Sequence, residues 1–140
     1  MTKVLIFGTF DGLHQGHRDF FKQAREFGEY VVAIVARDST VQQNKNKQPK
    51  YNEQERKKAL EESGLVSEVI LGQENHNTEK SQYQLIQEIM PDVVCLGYDQ
   101  ARFKEKLKEE LLRMGLKDVQ IKISKPFEPE KYHSSILNKY

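Results

Sequence analysis

Two histidines three residues apart, His14 and His17, end a run of small and polar residues: Gly8-Thr9-Phe10-Asp11-Gly12-Leu13-His14-Gln15-Gly16-His17. Imidazole donates to a phosphate oxygen and, as imidazolium, offsets charge developing on a transferring phosphoryl group. At this spacing on a helix start the two rings can face the same side. Thr9 adds a hydroxyl donor. Gly8 and Gly12 let the backbone turn tightly and approach a ligand, and Gly16 lets one approach the first helical turn. The N–H groups of a helix start, with the positive end of its dipole, form a ready anion site. The chemistry indicated is the handling of a polyphosphate. Zinc fits poorly, because the chain has one cysteine and no H-E-x-x-H pattern, while a structural zinc takes four ligands.

Such a decamer works only between a strand that carries it and a helix that begins in it. The apolar run Val4-Leu5-Ile6-Phe7 precedes it, and apolar residues recur at helical spacing from Arg18 to Phe27. The same alternation continues along the chain. Strands are predicted at Lys3–Phe7, Tyr30–Ala36, Glu68–Leu71, Asp92–Gly97 and Val119–Ser124. Helices are predicted at Gly16–Phe27, Asn52–Ser63, Ser81–Ile89 and Arg102–Met114. The strands are continuous Val/Ile/Leu runs, as when helices cover both faces of a sheet. The βαβ rhythm predicts a parallel sheet with right-handed crossovers, whose ligands bind at the C-terminal strand ends where strand order reverses. The expected fold is a Rossmann-like three-layer α/β/α sandwich on a five-stranded parallel sheet.

Boundary signals agree. Gly28 closes the first helix, Asn52 with Glu55 makes a capping-box pattern, Pro91 follows the third helix and Gly115 the last. The polar stretches 42–50 and 73–80 read as loops.

At 140 residues the chain is expected to form a single domain, 1–140, with one ordinary core. Charged residues make up 31% of it yet nearly cancel to +1, which gives no global drive towards nucleic acid or anionic membrane. Attraction for a phosphate compound must therefore be local. The apolar runs are too short to span a membrane, and Met1-Thr2-Lys3 leads directly into the first strand. With a lone cysteine, Cys95, the expected location is the cytoplasm. Cys95 lies in an apolar strand and reads as a core residue, His76 as a solvated loop residue, and Lys104 to Arg113 as a helix with a charged outer face.

Gly8-Thr9-Phe10-Asp11 followed by His14-Gln15-Gly16-His17 resembles the G-[TV]-F-D-x-x-H-x-G-H signature of the cytidylyltransferase-like nucleotidyltransferases. The likeness extends along the chain. Arg56 stands where that family carries an arginine opening the helix after a lysine loop, and Lys45 and Lys47 lie in the loop. Gly97-Tyr98-Asp99-Gln100, at the end of the fourth strand, is similar to the archaeal-type FAD synthase group, as is Ala36-Arg37-Asp38-Ser39-Thr40. His133-Ser134-Ser135-Ile136 matches the family's closing serine motif. One departure is the segment Lys125-Pro126-Phe127, which stands where the family usually has an Arg-Thr-x-Gly-like element.

The resemblance implies transfer of a nucleoside monophosphate from a nucleoside triphosphate to a phosphorylated acceptor, with release of pyrophosphate. It makes His14 and His17 the contacts to triphosphate and transition state. Arg56 and Lys47 would neutralise the leaving pyrophosphate. Gly8, Thr9, Phe10, Asp11, Gly16, Gly97, Tyr98, Asp99, Gln100, Ser134 and Ser135 would line the nucleotide. Magnesium is expected with the triphosphate and no dedicated metal site in the protein; homodimerisation is plausible by the same analogy. Gly97-Tyr98-Asp99-Gln100 favours ATP and FMN as substrates. CTP with glycerol 3-phosphate or a similar small phosphate is the alternative, and a nucleotide-binding protein without turnover is a third reading.

Overall fold

The structure, a computed structural model, describes residues 1–39, 41, 49–72 and 78–126, with only the backbone considered for 78–82. Its elements follow in the order β1 (Lys3–Gly8), α1 (Gln15–Phe27), β2 (Tyr30–Val35), α2 (Glu53–Ser63), β3 (Glu68–Leu71), α3 (Thr78–Ile89), β4 (Val93–Leu96), a 3-10 helix (Tyr98–Phe103), α4 (Lys104–Arg113) and β5 (Gln120–Ile123). The five strands form one sheet in the order β3-β2-β1-β4-β5, and every neighbouring pair is parallel. The expected fold class is the observed one.

Strand alternation explains why the apolar runs are continuous. Along β1, Val4 and Ile6 pack into one cluster with Phe21 and Ala24 of α1 and Leu60 of α2. Leu5 packs into the other with Leu85 and Ile86 of α3 and Leu107 and Leu111 of α4. Successive side chains point to opposite faces, so a strand between two helical layers needs an apolar residue at every position. Cys95 is fully buried in the first cluster, and burial pushes its thiol up to about 11. That makes it a small core residue rather than a nucleophile.

The main departure from the predicted elements is at the fourth connection. A helix predicted at Arg102–Met114 is preceded by a 3-10 helix, Tyr98–Phe103, so the chain turns helical directly after β4. The Gly97 carbonyl accepts the Gln100 N–H at 2.8 Å, which starts that tighter turn.

The order reverses between β1 and β4, since β1 leads leftward to β2 while β4 lies on its other side. The decamer follows β1 and Gly97–Gln100 follows β4. Both therefore stand at the sheet's C-terminal edge at the switch point, where open parallel sheets take ligands.

Candidate active site

The turn out of β1 is shaped by Phe10. Its backbone has φ +54, a left-handed conformation unusual for a bulky side chain, and its ring is buried. The ring passes so close to Gly8 that a Cβ there would lie 2.7 Å from it. Gly8 thus makes room for Phe10, where the sequence suggested room for a ligand. Gly12, at φ +80, takes the turn that its type predicted. Asp11 joins this loop to the approach of α2, its carboxylate accepting the N–H of Lys50 at 2.7 Å and of Tyr51 at 2.9 Å.

Helix α1 then opens on its two histidines. His14 is the N-cap, and its Nδ1 accepts the Gly16 N–H at 3.0 Å. The His14 N–H in turn donates to Nδ1 of His17 at 3.3 Å. This is a reciprocal capping box in which imidazoles replace the usual hydroxyl and carboxylate. The rings lie with centroids 3.9 Å apart, and Phe10 meets His17 edge-on at 5.6 Å. A Cβ at Gly16 would lie 2.9 Å from the His14 ring, so this glycine admits the folded-back cap instead of a ligand.

The cap has an electronic consequence. A ring nitrogen that accepts a hydrogen bond carries no proton, so each neutral ring holds its proton on Nε2. Partial burial pushes the His14 pKa down and favours that neutral form. The first turn of α1 contains no acidic residue to offset the helix dipole. Two Nε2–H donors and a positive helix end therefore share one corner of the sheet edge.

Arg56 requires a correction. The sequence suggested contact with a departing pyrophosphate, but its side chain is buried, only 1% exposed, and faces inward. Nη1 donates to the carbonyls of Thr9 and Ala36, both at 2.8 Å; Nε donates to Tyr51 O at 3.0 Å and Nη2 to Asp38 Oδ1 at 2.6 Å. A buried guanidinium needs nearly all its donors satisfied, and the ends of β1 and β2 supply the acceptors. It underlies the site without facing it.

Asp38 and Glu53 complete this support. The Asp38 N–H donates to Glu53, the Glu53 N–H donates to Asp38, and Arg37 pairs with Glu53 at 2.7 Å. Asp38 was visible within Ala36-Arg37-Asp38-Ser39-Thr40; Glu53 lacked a signal beyond its place behind the Asn52 cap. Gln23 had none at all. Its carboxamide bonds both the N–H and the carbonyl of Lys125, fixing the chain leaving β5 against α1.

Across the switch point, Gly97 is buried, and a Cβ there would lie 2.8 Å from Asp99 Oδ1. Its space is filled by its own turn. Tyr98 and Asp99 are exposed at the edge. Gln100 departs from its expected contact with a nucleotide: its carboxamide bonds the Gly97 N–H and the Phe7 carbonyl. Lys45, Lys47, His76, Ser134 and Ser135 lie outside the described residues. Among the described residues no three His, Cys, Asp or Glu side chains form a metal-binding group, and no helix is long and apolar enough to cross a membrane.

A helix start capped by two imidazoles at the switch point of a parallel α/β sheet suits a nucleotidyltransferase, and the chain belongs to the cytidylyltransferase-like family, whose profile matches residues 5–139. Its relatives within that family include FAD synthases. One from Methanosarcina barkeri is 40% identical over 116 residues, covering 83% of this chain and 78% of that protein. Another from Aciduliprofundum boonei is 35% identical over 138 residues, covering 99% and 85%. Among solved structures, a Thermoplasma volcanium protein described as a lipopolysaccharide core biosynthesis protein superposes with a TM-score of 0.81 at 32% identity, covering 91% of this chain and 99% of that one. Pantothenate synthetase from Thermus thermophilus shares the fold, with a TM-score of 0.60 at 15% identity over 89% of this chain and 55% of that one.

Proposed function

We propose that this protein is an FMN adenylyltransferase, joining ATP and FMN to give FAD and pyrophosphate. The observation that carries the reading is the imidazole-capped start of α1 at the switch point. It gathers two imidazole rings, with centroids 3.9 Å apart, and a helix start at one place. The relatives' identity as FAD synthases supplies the substrates.

In this reaction an oxygen of the FMN phosphate attacks the α-phosphorus of ATP in line. The bond from that phosphorus to the bridging oxygen of the β-phosphate breaks, and pyrophosphate leaves with the electron pair. No covalent enzyme intermediate is required, so the protein contributes positioning and charge stabilisation. His14 and His17 donate from Nε2 to the phosphate oxygens, and their Nδ1 atoms stay bonded to the backbone, which fixes the rings. Lys47 and Ser134 or Ser135 are assigned to the triphosphate tail on sequence grounds. Magnesium would offset the charge of the triphosphate, and the Asp11 carboxylate, which accepts the N–H groups of Lys50 and Tyr51, would hold the loop beside it.

The test is purified protein with ATP and FMN, and in parallel with CTP and glycerol 3-phosphate, following pyrophosphate and FAD. FAD formed together with pyrophosphate supports the assignment. Turnover confined to CTP makes the protein a cytidylyltransferase. Tight ATP binding without pyrophosphate release for either acceptor makes it a nucleotide-binding protein without turnover.

A further inference from the structure

The two ladders that flank β1 are unequal. With β2, register runs the full strand, from Lys3↔Tyr30 to Gly8↔Val35. With β4 it holds only at Val4↔Val93 and Leu5↔Val94, although both strands continue further. Beyond Leu5 the pairing of these neighbours stops, at the point where strand order reverses. One side chain bridges them. Gln100 Oε1 accepts the Gly97 N–H at 2.8 Å, and its Nε2 donates to the Phe7 carbonyl at 3.2 Å.

A carboxamide is a peptide group in miniature, an acceptor and a donor held in one plane. Here it takes the place of a missing peptide in the ladder, pairing a carbonyl of β1 with the N–H that follows β4. Its stem is held as well, because the Gln100 N–H donates to the Gly97 carbonyl. Phe7 leads through Gly8 into the histidine loop, and Gly97 leads into exposed Tyr98. Any shift of the bridge therefore moves both sides of the switch point.

We propose that Gln100 is a positioning residue, a strut whose carboxamide sets the separation of the β1 and β4 ends and so the width of the cleft that receives the nucleotide. A simple 3-10 cap would need only the acceptor oxygen on Gly97; the donor reaching Phe7, 93 residues away, is what makes it a strut. Asparagine lacks the reach, glutamate lacks the donor and methionine lacks both polar atoms. The ligand named rests on the nucleotidyl-transfer reading, whereas the strut does not.

The experiment compares Gln100→Met and Gln100→Glu with the wild type. In the ligand-free protein, amide hydrogen exchange at Gly97 should speed up about tenfold in Gln100→Met. With ATP and FMN, Gln100→Met should raise the KM for ATP about tenfold while kcat stays within about threefold. Gln100→Glu should show the same defect at about pH 8, relative to wild type, and lose it progressively as pH falls through about 4.3, where a protonated carboxyl regains a donor for Phe7. Unchanged Gly97 exchange in Gln100→Met overturns the strut. So does a loss of thermal midpoint with KM unaltered, or a Gln100→Glu defect that is flat with pH. The exchange measurement needs no substrate. Faster Gly97 exchange in a protein that makes no FAD would leave the strut standing and refute the activity.

Discussion

Helices α1 and α2 begin at the same edge of the sheet, after β1 and β2, and by the same backbone device. In each the residue at the cap accepts the first helical N–H, Arg18 to the His14 carbonyl and Arg56 to the Asn52 carbonyl. Each also has a reciprocal capping box, His14 with His17 and Asn52 with Glu55. The side chains differ. The α2 start carries Glu53 and Glu55, whose carboxylates neutralise its dipole from within the chain. The α1 start carries imidazoles, and its first turn holds no acid. The arginines at matching positions diverge in the same sense, Arg18 exposed on the first turn of α1 and Arg56 buried beneath the sheet edge. One geometry thus serves as a structural joint when its counter-charge is built in, and, on the proposed function, as a phosphate site when it is not.

The largest effect should come from giving α1 the chemistry of α2. His17→Glu keeps an acceptor for the His14 N–H, so stability should stay within about 1 kcal/mol of wild type. Its carboxylate, though, would face the incoming phosphates. FAD formation should fall by about a thousandfold or more, beyond the roughly hundredfold loss from deleting the donor in His17→Ala. Steady-state kinetics beside thermal unfolding checks this, with the more stable variant expected to be the less active. His17→Glu with near-normal turnover would remove the histidines from the phosphate site.

Next comes the arginine below α2. Arg56→Met strands Asp38 and the carbonyls of Thr9, Ala36 and Tyr51 in or near the core. Breaking such a buried pair costs about 3–5 kcal/mol, which denaturant unfolding would register. Arg56→Lys should recover little, since an ammonium cannot reach four acceptors spread around a planar fork. If Arg56→Met were as stable as wild type and only the KM for ATP rose, the residue would face the nucleotide after all.

Both helix starts were legible in the sequence, but in different degrees. Asn52 with Glu55 is a local pattern between neighbours, and local patterns survive without knowledge of the fold. The spacing of His14 and His17 suggested phosphate donors; that their rings also accept the Gly16 and His14 N–H groups depends on rotamers that spacing leaves open. Arg56 was misread because three of its four acceptors are the carbonyls of Thr9, Ala36 and Tyr51, and backbone oxygens leave no mark in a sequence. The same holds for Gln100 and Phe7. The central strands β1, β2 and β4 were readable almost to the residue, because burial on both faces constrains nearly every position along them.

On the α2 side, Asn52→Ala removes the cap on Glu55 without touching the phosphate corner. It should cost about 1 kcal/mol, seen as a lower thermal midpoint, with kcat/KM for ATP within about twofold of wild type. A tenfold loss of kcat/KM would mean that the two helix starts are coupled.

The smallest expected effect is a pH dependence that only the α1 start should show. Burial lowers the His14 pKa in the folded protein below 6.5. Between that lowered value and 6.5 the unfolded chain binds more protons than the folded one, so stability falls as pH drops through this window and levels off below it. The structural route is direct, since a proton on Nδ1 removes the acceptor for the Gly16 N–H. His14→Asn retains a cap that does not titrate. Its thermal midpoint, relative to wild type, should therefore improve as pH falls below about 6.5. A constant difference across that range would show that the imidazole cap is no more sensitive to protons than the asparagine cap of α2.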